Sequence, residues 1–178
     1  MDIVFWDIEA GGLKSPFDQL LSSAFKPYGD KPYAILRRAR DVDDRELCIK
    51  IRNELESYDC FVTYYGLRYD KPFLNGRLYK YGERPLKRMK HIDCYSLACK
   101  IFKYTLHSKR LITICEHLGI KGKTRVVPAD WEQVKYAAHG KSREALRRIA
   151  EHNLWDVIAL EEAYVKCFKE EIRGFSET

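Results

Sequence analysis

The sequence contains no C-x-x-C pair and no cluster of cysteine and histidine at metal-ligand spacing. Its six cysteines, at 48, 60, 94, 99, 115 and 167, are scattered, and several lie in apolar runs. That pattern argues against a zinc or disulfide framework and fits buried, reduced thiols of an intracellular protein. No apolar run reaches bilayer-spanning length, so no membrane partner is expected. Acidic Asp2 and Asp7 open the chain where a signal peptide would be basic and apolar, so a cytoplasmic or nucleoid-associated location is expected. A phosphate-binding loop is also missing: "HGKS" at 139–142 would need glycine at 135, where Lys135 stands. No repeat, low-complexity tract or linker divides the 178 residues, and a single domain over 1–178 is expected.

What is present describes a globular chain. Hydrophobic residues make up 46% and charged residues 33%, and 12 Tyr, 8 Phe and 3 Trp supply enough large side chains to exclude disorder. The formal charge of +6 is compatible with a polyanionic partner but does not require one.

The first ten residues, "MDIVFWDIEA", read as a buried strand from Ile3 to Ile8. Strand side chains alternate faces, so Ile3, Phe5, Asp7 and Glu9 share one face and Val4, Trp6 and Ile8 the other. A glycine- and proline-punctuated loop follows, then two strands within residues 20–38 joined by a turn at Gly29 and Asp30. Residues 41–58 read as a helix capped by Asp43 or Asp44, with Leu47, Ile51 and Leu55 on one face. A second buried strand, "DCFVTYY", precedes a helix from about Asp70 to Tyr81. "HIDCYSLACKIFKY" is a strand entering a helix, and "LITICEHLGI" is a helix closed by Gly119. A helix capped by Asp130 follows, and residues from Ser142 to about Ile172 are helical, with room for a break. Strands early and helices late predict an α/β fold, a sheet flanked by helices on both faces.

Asp7 and Glu9 lie two apart on one strand face, about 7 Å along the strand. Carboxylates that close raise each other's pKa unless a cation sits between them. A water-facing acidic strand end is the alternative. Asp70 follows the second buried strand at a helix start, where it is a metal-ligand candidate or a plain cap. His152 and Asp156 stand one turn apart on a face with Ala145, Ile149, Ala159 and Ala163, as a functional pair or a local hydrogen-bonded one. Asp93 reads as a cap or supporting group.

Together "FWDIEAGGL", "TYYGLRYDKPFL" and "HNLWDVIALE" resemble the three motifs of the DEDD superfamily of 3′–5′ exonucleases, which have the ribonuclease H-like fold. "HIDCYSLA" and "LITICEHLGI" are similar to the segments between the second and third motifs. The resemblance runs from Asp2 to about Phe168 and is closest to stand-alone relatives of the proofreading domain of family B DNA polymerases. It implies a ribonuclease H-like mixed sheet flanked by helices. It also implies Asp7, Glu9, Asp70 and Asp156 as ligands of two Mg²⁺ or Mn²⁺ ions, about 3.5–4 Å apart, which activate a water and stabilise the leaving 3′-oxygen. One branch of the superfamily has tyrosine four residues before the last aspartate, and another has histidine five before it. This chain has His152 at the tyrosine spacing and Glu151 at the other. His152 takes the water-orienting or general-base role.

By the same resemblance, Ala10, Gly11 and Leu13 line the 3′-terminal nucleotide. An ordinary turn with a core leucine is the alternative. Arg77, Lys80, Arg84, Lys87, Arg88 and Lys90 interleave with Tyr79 and Tyr81, as phosphate and base contacts or as a solvated basic surface. "KGKTR" at 121–125 is a second basic loop. The expected activity is metal-dependent 3′–5′ exonucleolysis of single-stranded DNA or RNA with a free 3′ end. A structure-specific endonuclease and an inactive nucleic-acid-binding domain are the alternatives.

Overall fold

The computed structural model describes residues 1–38, 41–121, 128–139 and 142–169. The elements are β1 (Ile3–Ala10), β2 (Leu20–Pro27), β3 (Tyr33–Leu36), α1 (Arg45–Leu55), β4 (Cys60–Thr63), α2 (Asp70–Lys80), β5 (Lys90–Asp93), α3 (Cys94–Ile101), α4 (Leu111–His117), α5 (Pro128–His139) and α6 (Arg143–Ala163). One sheet carries the strands in the order β3-β2-β1-β4-β5. β1 pairs antiparallel with β2 and parallel with β4, and β5 extends the parallel side. The expected mixed sheet flanked by helices is therefore present. No helix among the described residues is long and apolar enough to cross a membrane.

The alternation along β1 divides the core. Val4, Trp6 and Ile8 pack with Leu47, Ile51 and Leu55 of α1 and Phe73, Leu74 and Leu78 of α2. Phe5 packs on the opposite face with Val62, Ala98 of α3, Ile114 of α4 and Val157 and Leu160 of α6. Asp7 and Glu9 share the parity of Phe5, so they face the side on which α6 lies. A third cluster joins Leu21 of β2 to Val134 and Ala138 of α5 and Ile149 of α6. Lys26 of β2 and Glu161 of α6 form an ion pair at 2.6 Å, both largely buried, which fixes the helix along the sheet. Cys48, Cys60, Cys94 and Cys115 are buried.

Several element boundaries differ from the sequence expectation. α1 covers Arg45–Leu55 of the expected 41–58; Asp44 stands at the expected N-cap position without a side-chain cap bond, and Asp43 Oδ1 accepts from the Arg45 amide at 2.9 Å. α5 begins at Pro128, whose missing N–H costs nothing in a first turn, so Asp130 lies inside the helix rather than capping it. α6 passes into a π-helical turn over Tyr164–Phe168, at the break the sequence allowed. Residues 170–172 of the expected helix lie outside the described residues, as do most of the basic loop at 121–125 and Gly140 and Lys141 of "HGKS".

The basic stripe near α2 is only partly a surface. Arg77 and Asp44 form an ion pair with both side chains fully buried. Arg77 Nε donates to Asp44 Oδ2 at 2.9 Å, and Nη1 donates to the Ser15 carbonyl at 2.9 Å. The Tyr81 hydroxyl and the Leu20 amide donate to the same carboxylate, at 2.5 and 2.7 Å. Arg77 and Tyr81 are thus structural groups and not phosphate or base contacts. Arg84 makes a two-pronged pair with Glu56, while Tyr79, Lys80, Lys87, Arg88 and Lys90 remain exposed.

Removing one partner of a buried ion pair leaves the other charge without compensation. Asp44→Ala should therefore lose about 3–5 kcal/mol of stability in urea unfolding. A loss under about 1 kcal/mol, the scale of an exposed pair, would show that the network carries no such constraint.

Candidate active site

Three segments far apart in sequence meet at the C-terminal end of β1. β1 supplies Asp7 and Glu9, the start of α2 supplies Asp70, and α6 supplies His152 and Asp156. The β1–β2 register shifts between Glu9 and Ala10, an irregularity that ends regular pairing where Glu9 projects.

His152 Nε2 lies 3.8 Å from Glu9 Oε1 and 3.8 Å from Asp156 Oδ2, and all three side chains are largely buried. Each of these residues offers a ligand atom within 4.8 Å of the others, a spacing that can hold one cation. Two carboxylates and an imidazole, without a thiolate, suit a hard or borderline divalent ion. The Trp131 ring of α5 packs on the imidazole, with centroids 4.7 Å apart.

Asp7 and Asp70 stand outside that group of three, each turned to its own partner. Asn153 Nδ2 donates to Asp7 Oδ2 at 2.5 Å, and Asn153 Oδ1 accepts from Ser22 Oγ at 2.9 Å. Asn153 and Ser22 are both fully buried, so β2 orients an α6 amide that in turn holds a β1 carboxylate. Asp70 is 3% exposed, and the Ile8 amide donates to its Oδ1 at 3.1 Å. Asp70 therefore does more than begin a helix: it is tied to β1 between the two other acids. Burial pushes its carboxyl up to about 7; the Ile8 N–H works against that, and the charges of Asp93 and Asp156 add to it.

Asp93 does cap α3, accepting from the Tyr95 amide at 2.9 Å. It also accepts from the amides of Tyr65 and Leu67, at 3.0 and 2.9 Å, and so fixes the loop that leads into Asp70.

The residues expected to line the substrate diverge. Ala10 is 4% exposed and packs in the core. Gly11 is partly exposed and closes the loop by donating its amide to the Gln19 carbonyl at 2.9 Å. Leu13 is 81% exposed, which rules out the core leucine, and Phe17 beside it is 77% exposed. The Tyr69 hydroxyl donates to the Gly12 carbonyl at 3.0 Å. A Cβ at Gly12 would meet Asp18 Oδ2 at 2.4 Å, so a side chain there would displace the Asp18 carboxylate from the Lys14 amide.

Sequence reasoning passed over Asn153, Ser22 and Trp131. For Asn153 a signal existed: it interrupts the buried row Ile149, Val157 and Leu160, where an amide needs partners. Ser22 and Trp131 carry no such signal.

The family model for the RNase_H superfamily matches residues 4–167. A comparison with curated proteins gives no match. Among solved structures, the chain is similar to a family B DNA polymerase from the hyperthermophilic archaeon Pyrobaculum calidifontis, with a TM-score of 0.70 and 16% identity. The match covers 93% of this chain and 24% of that one, so the chain spans about a quarter of the polymerase, and the likeness is one of fold. The α/β architecture is accordingly ribonuclease H-like.

A carboxyl with a raised pKa has a definite effect on stability. An aspartate in the unfolded chain titrates near ~3.9. Between that value and about 7, folded Asp70 keeps a proton that the unfolded chain has released. Stability of the metal-free protein should therefore fall as pH rises through this window. In Asp70→Asn the amide keeps an acceptor for Ile8 and cannot ionise, so its urea-unfolding curve should lack that fall. Parallel pH profiles for parent and variant would contradict the assignment.

Proposed function

The chain belongs to the RNase_H superfamily, and from that premise we propose that it is a divalent-cation-dependent nuclease that removes nucleotides from the 3′ end of single-stranded DNA or RNA. The convergence of Asp7, Glu9, Asp70, His152 and Asp156 on one edge of the sheet carries this reading. In it, Asp7, Glu9, Asp70 and Asp156 hold two Mg²⁺ or Mn²⁺ ions, as the DEDD motifs imply. When bound, such ions neutralise the phosphodiester and acidify a water at neutral pH.

The chain's own groups do the rest. Asn153 keeps Asp7 in one orientation, so that the carboxylate reaches its working position without reorganisation. Asp70 is buried beside the other acids, and a cation bound there would favour its ionised form. His152 Nε2 looks onto Glu9 and Asp156 and, when neutral, accepts a proton from the attacking water. Trp131 restrains the ring. Leu13 meets the terminal base from the exposed loop, Gly11 lets the backbone approach it, and Ala10 contributes backbone only.

Degradation of 3′- and 5′-labelled single strands of DNA and RNA, with Mg²⁺, Mn²⁺ or EDTA, tests the reading. Shortening should proceed from the 3′ end, stop in EDTA, and be blocked by a 3′-phosphate. Cutting of a closed circle would instead favour an endonuclease. Asp7→Ala should abolish cleavage while remaining folded. His152→Ala should lower kcat by about 10²–10⁴-fold, the range for loss of a general base. His152→Tyr should retain more, because a phenol at that helical position still hydrogen-bonds water. Parental kcat in His152→Ala would remove the histidine from the chemistry.

A further inference from the structure

Among the described residues, Tyr65 is the single non-glycine residue with positive φ, at +73°. A left-handed backbone is strained for a bulky aromatic and easy for glycine or asparagine. Tyr65 sits in the loop between β4 and Asp70, and Gly66, which has no Cβ to oppose a left-handed backbone, is its neighbour. The buried carboxylate of Asp93 holds the strained loop by accepting from the amides of Tyr65, Leu67 and Tyr95. The fold thus spends two charge-assisted hydrogen bonds on keeping this conformation, while the third caps α3.

That conformation keeps an aromatic ring at the surface. Tyr65 is 40% exposed and Leu67 beside it 49%. The Tyr95 ring stands at 83° to Tyr65, with centroids 4.8 Å apart. Tyr64 backs Tyr95 edge-on from the interior, and its own hydroxyl donates to the Lys109 carbonyl. The exposed Arg68 guanidinium lies 5.9 Å from the Tyr65 ring centroid. A ring serving only the core would be buried, and asparagine would satisfy the backbone at less cost.

We infer that Tyr65, braced by Tyr95 and flanked by Arg68, is a stacking platform for a base of the single strand whose 3′ end enters at the neighbouring carboxylates. The aromatic face suits any nucleobase, and the guanidinium suits the adjoining phosphate or a second stacked plane. The inference rests on the nuclease reading of the site and adds a contact beside Asp70, on the side of the sheet edge formed by β4 and β5. Because stacking is tolerant of base identity, it gives affinity without sequence preference.

The test is fluorescence anisotropy of a labelled single-stranded oligonucleotide in Ca²⁺, together with cleavage in Mg²⁺ or Mn²⁺. Tyr65→Asn removes the ring from a backbone position that asparagine tolerates, so its melting temperature should not fall. It should bind about 5–150-fold more weakly, the range for one lost base–aromatic stack. KM should rise by a similar factor with kcat nearly unchanged, and Tyr65→Phe should restore parental values. In the parent, an abasic residue scanned along the oligonucleotide should weaken binding at one position. There Tyr65→Asn should add no further loss. Parental affinity and KM in Tyr65→Asn would overturn the platform while leaving the nuclease reading in place. Tyr65-dependent binding without cleavage would do the reverse, and no binding by the parent would remove both.

Discussion

Asp7, Glu9, Asp70 and Asp156 are held near one another at the end of a buried strand, although like charges in that position repel. The surrounding structure reads as the means of holding them. Neutral donors stand against two of the acids: the Asn153 amide against Asp7 and the Ile8 amide against Asp70. His152 faces the other two. These contacts orient the carboxylates, and a divalent ion among them would favour their ionised forms.

The support extends outward in steps. Ser22 fixes Asn153, and Lys26 and Glu161 fix α6 along β2, so the orientation of Asp7 depends on sheet and helix keeping their registry. Asp93 fixes the loop before Asp70. The buried Asp44–Arg77 pair joins α1, α2 and the loop after β1 by reaching both the Leu20 amide and the Ser15 carbonyl. That loop carries Leu13 and Phe17 into solvent, and neither side chain completes the core.

Local periodicity made much of this legible. Alternation along "IVFWDIEA" separates Val4, Trp6 and Ile8 from Phe5, Asp7 and Glu9, and the packing divides the same way. The four-residue step from His152 to Asp156 sets both on the face that meets Glu9. Long-range pairing is what the sequence conceals. Arg77 reads as one more cation in a basic stripe because its partner, Asp44, lies 33 residues away in a different helix start. Asp44 in turn reads as a cap because nothing nearby shows that its carboxylate is committed elsewhere. Ala10 reads as a loop residue, but the strand continues through it into the core.

The central claim is that the crowded carboxylates repel one another and that a divalent cation binds among them. The direct measurement is the melting temperature of the parent and of Asp7→Asn at neutral pH, each with EDTA and with Mn²⁺. Asn at position 7 removes one charge while keeping an oxygen for Asn153 to donate to. The account predicts that Mn²⁺ raises the parent's melting temperature, that Asp7→Asn in EDTA melts no lower than the parent, and that Mn²⁺ stabilises the variant much less. A parent indifferent to Mn²⁺, or a variant that melts far lower in EDTA, would show that the carboxylates are structural and the metal-site account is wrong.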